Sequence, residues 1–327
     1  MIIKDDNNSN NNNPNKNLLK EIIISFNKVK EENPLTYCMT NTVTINGCAN
    51  AILAIGGSPI MTYNKEEIED IIKISKSFVI NIGNPNNEEI ESMKLACKYA
   101  NKYNIPIIFD PVGVGISKLR NDLSLNLIKN YNLTAIRGNM SEIKAIANLI
   151  NLTNNNTNIN TNTNSNNKKP NSNHENYGKG VDVNTEDIVN KDNLLDNASL
   201  VKELAKKLNT IIIASAPIDL ISNGKETYSI ENGDEMMPKI TGSGCMLSTI
   251  VGTYITELNT DKNIINAITA SLHMTLAGEK AGKIVKDNNL GTGSFNEHLL
   301  NNLYLLKEED FNESKLKNLN VWLKIKY

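Results

Sequence analysis

Arginine is almost missing from this chain: Arg120 and Arg137 are the only two, leaving 34 − 2 = 32 lysines among the 34 basic residues. Where lysine is supplied so freely, an arginine marks a place that wants a planar fork of donors and not just positive charge. Aromatic residues are also scarce, 5% with a single tryptophan, so any core must be built from aliphatic side chains. Nor is there a basic stripe. Lys and Arg number 34 against 36 Asp and Glu, a net charge of −2, which excludes the footprint of a nucleic-acid or anionic-membrane binder. The expected partner is a small molecule.

Other absences narrow the field further. No run is long and apolar enough to span a bilayer, and Met1 to Asp6 followed by an Asn tract lacks the layout of a secretory signal, so the cytosol is the expected location. Cys38, Cys48, Cys97 and Cys245 form no C-x-x-C pair and no zinc-like spacing, which fits reduced thiols. No G-x-x-x-x-G-K-[ST] occurs, so a bound nucleotide is not held by a Walker loop.

What is present is an alternation of short apolar runs and helical repeats. Strands are expected at 35–40, 59–62, 78–82, 106–109, 133–136 and 210–215, with helical patterns between them. Repeated βα units of this length predict an α/β fold, a mostly parallel central sheet with helices on both faces. Asn223-Gly224 predicts a hairpin between 218–222 and 226–230. Residues 1–16 are Asn-rich and expected to be disordered, as is a low-complexity insertion at about 151–196; one domain spans 17–306, and 307–327 form a C-terminal extension without an assigned role. The helix before the sixth strand is placed at 200–208.

The most informative stretch is Thr241-Gly242-Ser243-Gly244-Cys245, which leads straight into a helix. Glycines let the backbone approach a ligand closely, and the first turn of a helix offers unpaired N–H groups and a positive dipole end: an anion hole. The other polar candidates fall at the carboxyl ends of expected strands, where ligands bind in open parallel sheets. These are Asn41, Met61 with Thr62, Asp110, Arg137 with Asn139 and Glu142, and Ser215. Several readings stay open. Glu142 lies three after Asn139, so it closes a capping box or serves a metal or phosphate. Asp110 starts a turn before Pro111 or forms a water-mediated Mg2+ site. Ser215 donates to a phosphate or to a neighbouring loop. Arg137 suits bidentate contact with phosphate. Cys245, at a helix N-terminus, is expected to have a lowered pKa and to be able to take a proton, or else is a small buried hydrophobe. His174 lies in the Asn tract and His273 on an apolar helix, so neither is expected to be a base.

The sequence resembles the hydroxyethylthiazole kinase family of the ribokinase-like superfamily from about Leu18 to Tyr304. The resemblance rests on Met39-Thr40-Asn41, Gly57-Ser58-Pro59-Ile60-Met61, Asn81-Ile82-Gly83, Asp110-Pro111-Val112-Gly113-Val114-Gly115, Ile136 to Glu142, Gly180-Val181-Asp182, Thr241 to Cys245, Ala277-Gly278-Glu279 and Gly291 to Phe295. It implies ATP-dependent phosphorylation of the primary alcohol of hydroxyethylthiazole, a step towards thiamine. It also implies that Met61 and Gly242, with Asn41 nearby, meet the thiazole, Arg137 and Ser215 the ATP phosphates, and Asp110 with Glu142 the Mg2+ region. Cys245 would stand where related sugar kinases place an aspartate base, and the assembly would be a homotrimer with sites between subunits. Ser215-Ala216-Pro217 departs from a Thr-Gly-Glu type sequence, and Pro238 replaces a threonine. The nearest rival is a hydroxymethylpyrimidine or pyridoxal kinase; a non-catalytic binder of nucleotide or thiazole, or an interaction protein working through the Asn tract, are rivals of other classes.

Overall fold

The computed structural model describes residues 14–152 and 187–325. His174, the Gly180-Val181-Asp182 motif and the centre of the expected insertion lie outside them. The strands are β1 (Leu35–Met39), β2 (Ser58–Ile60), β3 (Ser77–Asn81), β4 (Ile107–Asp110), β5 (Ala135–Asn139), β6 (Ile211–Ser215), β7 (Asp219–Ser222), β8 (Thr227–Ile230) and β9 (Leu316–Asn318). They form one sheet ordered β2-β1-β3-β4-β5-β6-β7-β8-β9. Strands β1 to β6 run parallel and β6 to β9 pair antiparallel, so the expected mostly parallel sheet and the hairpin are both present.

Successive side chains on a strand point to opposite faces, and the sequence uses both. Val79, Ile108, Ile211 and Ile213 face helices α1 (Pro14–Glu32), α2 (Ile45–Ala54), α8 (Ser243–Tyr254), α9 (Thr260–Asp287) and α10 (Thr292–Leu305). Phe78, Ile80, Ile107, Phe109 and Ile212 face α3 (Ile68–Ile74), α4 (Asn87–Lys102), α5 (Lys118–Asn130), α6 (Met140–Leu149), α7 (Leu194–Leu208) and α11 (Asn320–Ile325). Each of these aliphatic or aromatic side chains contributes roughly 1.5–3 kcal/mol by leaving water. Burial on both faces is why the strands read as continuous apolar runs with no polar alternation.

One boundary differs from expectation. Helix α7 begins at Leu194, six residues before the expected 200, and Val189 ahead of it is buried. Asp187 there accepts hydrogen bonds from Ser141 Oγ (2.6 Å) and Lys144 Nζ (2.7 Å), which tie the approach to α7 to α6. The chain beyond 306 also joins the fold: Phe311 is fully buried, edge-on to Phe26 at 4.9 Å, and β9 extends the sheet beside β8.

His273 sits fully buried in α9, as expected of a packed residue. Its Nε2–H donates to the Leu303 carbonyl (2.8 Å), which leaves Nδ1 to accept from the Tyr254 hydroxyl (2.7 Å). Burial pushes its pKa down to about 4, so the ring stays neutral and structural.

Candidate active site

The carboxyl ends of the parallel strands bring the candidates together. Asn81 closes β3 in register with Asp110, the last residue of β4, and Asn139 closes β5 in register with Ser215, the last of β6. Asn41 follows β1. Over this row stands the N-terminus of α8.

Gly242 is the N-cap of α8 in a left-handed conformation (φ 85°) that favours glycine, with no side chain capping the first turn. A Cβ at Gly242 would meet Thr44 Cγ2 at 2.6 Å, and one at Gly244 would meet Arg137 Nη1 at 2.6 Å. Ser243, Gly244 and Cys245 are half-buried, so the amide tip is open to a ligand. Arg137 is 8% exposed, and its Nε donates to Ser215 Oγ at 3.2 Å. That bond places the Ser215 hydroxyl against the guanidinium. The tip of α8, Arg137 and Ser215 thus lie together.

Beneath it lies a polar network that the sequence did not announce. Asp110 is fully buried, and its Oδ2 accepts from Asn81 Nδ2 (2.8 Å) and Ser248 Oγ (2.7 Å), while Oδ1 has no hydrogen-bond partner. Asn81 Nδ2 and Asn41 Nδ2 both reach Cys245 Sγ at 3.3 Å, and Asn81 Oδ1 accepts from Asn41 and from Gly83 N–H. Ser248 was legible in principle, three residues after Cys245 on an otherwise apolar helix face. Asn81 acts through two neighbours distant in sequence, which no spacing rule reveals.

Glu142 closes a capping box with Asn139, as one of the two expected readings held: Oε2 accepts from Asn139 N–H (2.8 Å) and Asn139 Oδ1 from Glu142 N–H (2.9 Å). Its other oxygen accepts from Gly113 N–H (2.8 Å). Burial and the nearby Asp110 charge push Glu142 up to about 7. Asp219, which accepts from Ala216 N–H (2.9 Å), is likewise raised to about 7 by burial. Asp110 is raised as well, by burial, with Arg137 pulling the other way. One guanidinium therefore faces three buried carboxyl groups, a setting that favours a cationic or proton-bearing complement.

Of the two readings of Cys245, its surroundings favour the buried thiol over the lowered pKa. Its thiol is raised above the ordinary 9.0, chiefly by burial and then by the Asp110 charge, against the smaller pull of Thr44, Asn41 and Arg137. Burial beside the Asp110 charge favours the neutral thiol. Met61 stands apart from the polar cluster. It follows the edge strand β2, partly buried against the apolar cluster that includes α2 and α8.

Among the described residues no group of three or more His, Cys, Asp and Glu is placed to cage a metal. A hard cation carried mostly by water and phosphate needs only one or two carboxylates. The unpartnered Oδ1 of Asp110 and the all-oxygen character of Asp110 and Glu142 fit such an ion.

Residues 26–169 and 170–309 match the model of the Hydroxyethylthiazole kinase family. The chain belongs to that family. It is 49% identical over 289 residues to a hydroxyethylthiazole kinase of Methanobrevibacter smithii, covering 88% of this chain and 93% of that protein. Among solved structures, the hydroxyethylthiazole kinase protein of Pyrococcus horikoshii OT3 has a TM-score of 0.73 at 27% identity, covering 91% of this chain and 99% of that one. A ribokinase-like superfamily protein of Enterococcus faecalis V583 shares the fold, with a TM-score of 0.53 at 11% identity over 88% and 93% of the two chains. The chain's fold is therefore one that a ribokinase-like protein shares, and no helix among the described residues is long and apolar enough to cross a membrane.

Proposed function

We propose that the protein transfers the γ-phosphoryl group of ATP to the primary hydroxyl of 4-methyl-5-(2-hydroxyethyl)thiazole, giving the thiazole phosphate that feeds thiamine biosynthesis. The observation that carries this reading is the contact between Arg137 and the Gly244 backbone at the open tip of α8. A phosphoryl group there meets amide N–H groups and, beside them, a buried guanidinium. In transfer, the alcohol oxygen forms a bond to phosphorus as the bond to the bridging oxygen of ATP breaks. ADP leaves, and the alcohol proton is released to solvent. The loose transition state needs positioning and charge neutralisation more than a strong base. The raised Cys245 thiol suits a neutral lining better than a proton acceptor.

Each residue takes a defined part. Gly242 to Cys245 cradle the migrating group through main-chain amides. Arg137 and Ser215 hold the ATP phosphates, and Met61 and Gly242, with Asn41 nearby, border the thiazole. Asp110 and Glu142 would hold Mg2+ through water, and the ion when bound would neutralise phosphate charge. The assembly we infer is a homotrimer with sites between subunits. Met61 on the sheet edge and Val43, 71% exposed on the loop between Asn41 and Thr44, support a subunit boundary beside the site. The free thiols of Cys38, Cys48, Cys97 and Cys245 support a reducing cytosol as its location.

The test is ADP release with and without hydroxyethylthiazole, beside hydroxymethylpyrimidine and pyridoxal as competitors. Thiazole-dependent ADP and thiazole phosphate are expected. Stronger turnover of either competitor would move the assignment to another ribokinase-like kinase, and ATP binding without transfer would make the protein a binder.

A further inference from the structure

The second arginine has so far played no part. Arg120 lies in the first turn of α5, half-buried, and it meets no carboxylate within ion-pair distance among the described residues. Its guanidinium instead donates to three main-chain carbonyls on two different loops. Nη1 reaches Ile82 O (3.2 Å) and Val112 O, and Nη2 reaches Gly83 O. Ile82 and Gly83 follow β3, and Val112 lies two residues past Asp110 at the end of β4. Gly113 is held so close that a Cβ there would sit 2.8 Å from Nη1, and its φ of +73° already favours glycine.

The Val112–Gly113 peptide is gripped at both ends. Its carbonyl accepts from Arg120, and its N–H donates to Glu142 Oε1 at 2.8 Å. Glu142 in turn holds Asn139 at the end of β5. On the other side, Gly83 N–H donates to Asn81 Oδ1, and Asn81 bonds both Asp110 and Cys245. One side chain therefore ties together the loops after β3 and β4 and, through a single peptide group, the Glu142 carboxylate in the first turn of α6. A planar fork of donors can span three carbonyls; the point charge of lysine on a flexible stem cannot hold the same plane. This explains why one of the two arginines of a lysine-rich chain is placed here.

We propose that Arg120 is a positioning residue for the reaction: by clamping Ile82, Gly83 and Val112 it sets the distance between Asp110 and Asn81 and the orientation of Glu142, without touching either substrate. The proposal rests on the phosphoryl-transfer reading for its kinetic part and on the clamp alone for its structural part.

The experiment compares wild type with Arg120→Lys and Arg120→Met, first confirming by circular dichroism and melting that the variants are folded. Amide hydrogen exchange at Gly113 and Gly83 is expected to speed up about tenfold or more in both, while α9 keeps its protection. In the kinetic arm kcat falls about 10²-fold in both variants, KM for the thiazole changes little because Met61 and Gly242 are untouched, and added guanidinium restores part of kcat in Arg120→Met. Unchanged exchange at Gly113 overturns the clamp. Faster exchange with wild-type kcat, or an activity loss that only tracks the unfolded fraction, overturns the positioning role. If wild type shows no thiazole-dependent turnover, the proposed reaction is what fails, and exchange at Gly113 alone then decides whether Arg120 holds the loop.

Discussion

A Cβ on Gly244 would stand 2.6 Å from Arg137 Nη1, so the tip of α8 and the guanidinium are in direct contact. Gly244→Ala forces one of the two to move. Since a displacement of about 1 Å in a positioned group can lower turnover by about 10²-fold, the variant should stay folded and lose most of kcat. Steady-state kinetics beside a thermal melt check this, and a Gly244→Ala enzyme with full kcat would show the contact to be incidental.

Ser248 supplies one of the two hydrogen bonds that Asp110 Oδ2 receives, both in the buried interior. Ser248→Ala leaves that carboxyl with less compensation and should destabilise the protein by about 1–3 kcal/mol. Urea denaturation measures it. A variant as stable as wild type would mean that water reaches Asp110.

The raised carboxyls give a pH signature. Glu142 rises from an ordinary 4.5 to about 7 and Asp219 from 3.8 to about 7, so the folded state holds protons that the unfolded state has released. Their contribution to stability is full below the ordinary values and is lost as pH rises through about 7. In metal-free buffer wild type should therefore lose stability across that window, and Glu142→Gln and Asp219→Asn should each flatten the slope. A slope unchanged in both variants contradicts the raised values.

Cys245 should alkylate slowly at neutral pH, its rate climbing only above pH 9.0, the ordinary thiol value. Cys245→Asp should keep activity, because Asn41 and Asn81 stand ready to donate to whatever acceptor occupies that place. Rapid alkylation at pH 7 would restore the thiolate reading, and an inactive Cys245→Asp would show that the sulfur itself is needed.

What was legible follows from how each signal arises. The sheet could be read because strands such as Phe78-Val79-Ile80 are buried on both faces, leaving an apolar run of strand length. The site edge could be read because Asp110, Asn139 and Ser215 end such runs. Strand β9 could not: Leu316-Lys317-Asn318 is three residues long and partly exposed, and only the partner strand β8 makes it a strand. The start of α7 was hidden by an Asn-rich, charged approach in which Val189 and Asn197 are nonetheless buried. Asn81 and Arg120 act through carbonyls and side chains brought near by the fold. For Cys245 the helix dipole is visible in sequence, while burial beside Asp110 is not.

The central claim is that a migrating phosphoryl settles against the amide tip of α8, beside the Arg137 guanidinium that abuts it. The most direct test is thiazole-dependent ADP release by folded Arg137→Ala and Arg137→Lys. The account predicts a fall in kcat of about 10²-fold or more for Arg137→Ala, with only partial recovery in Arg137→Lys, which keeps the charge but loses the fork. Turnover of Arg137→Ala at the wild-type rate would contradict it.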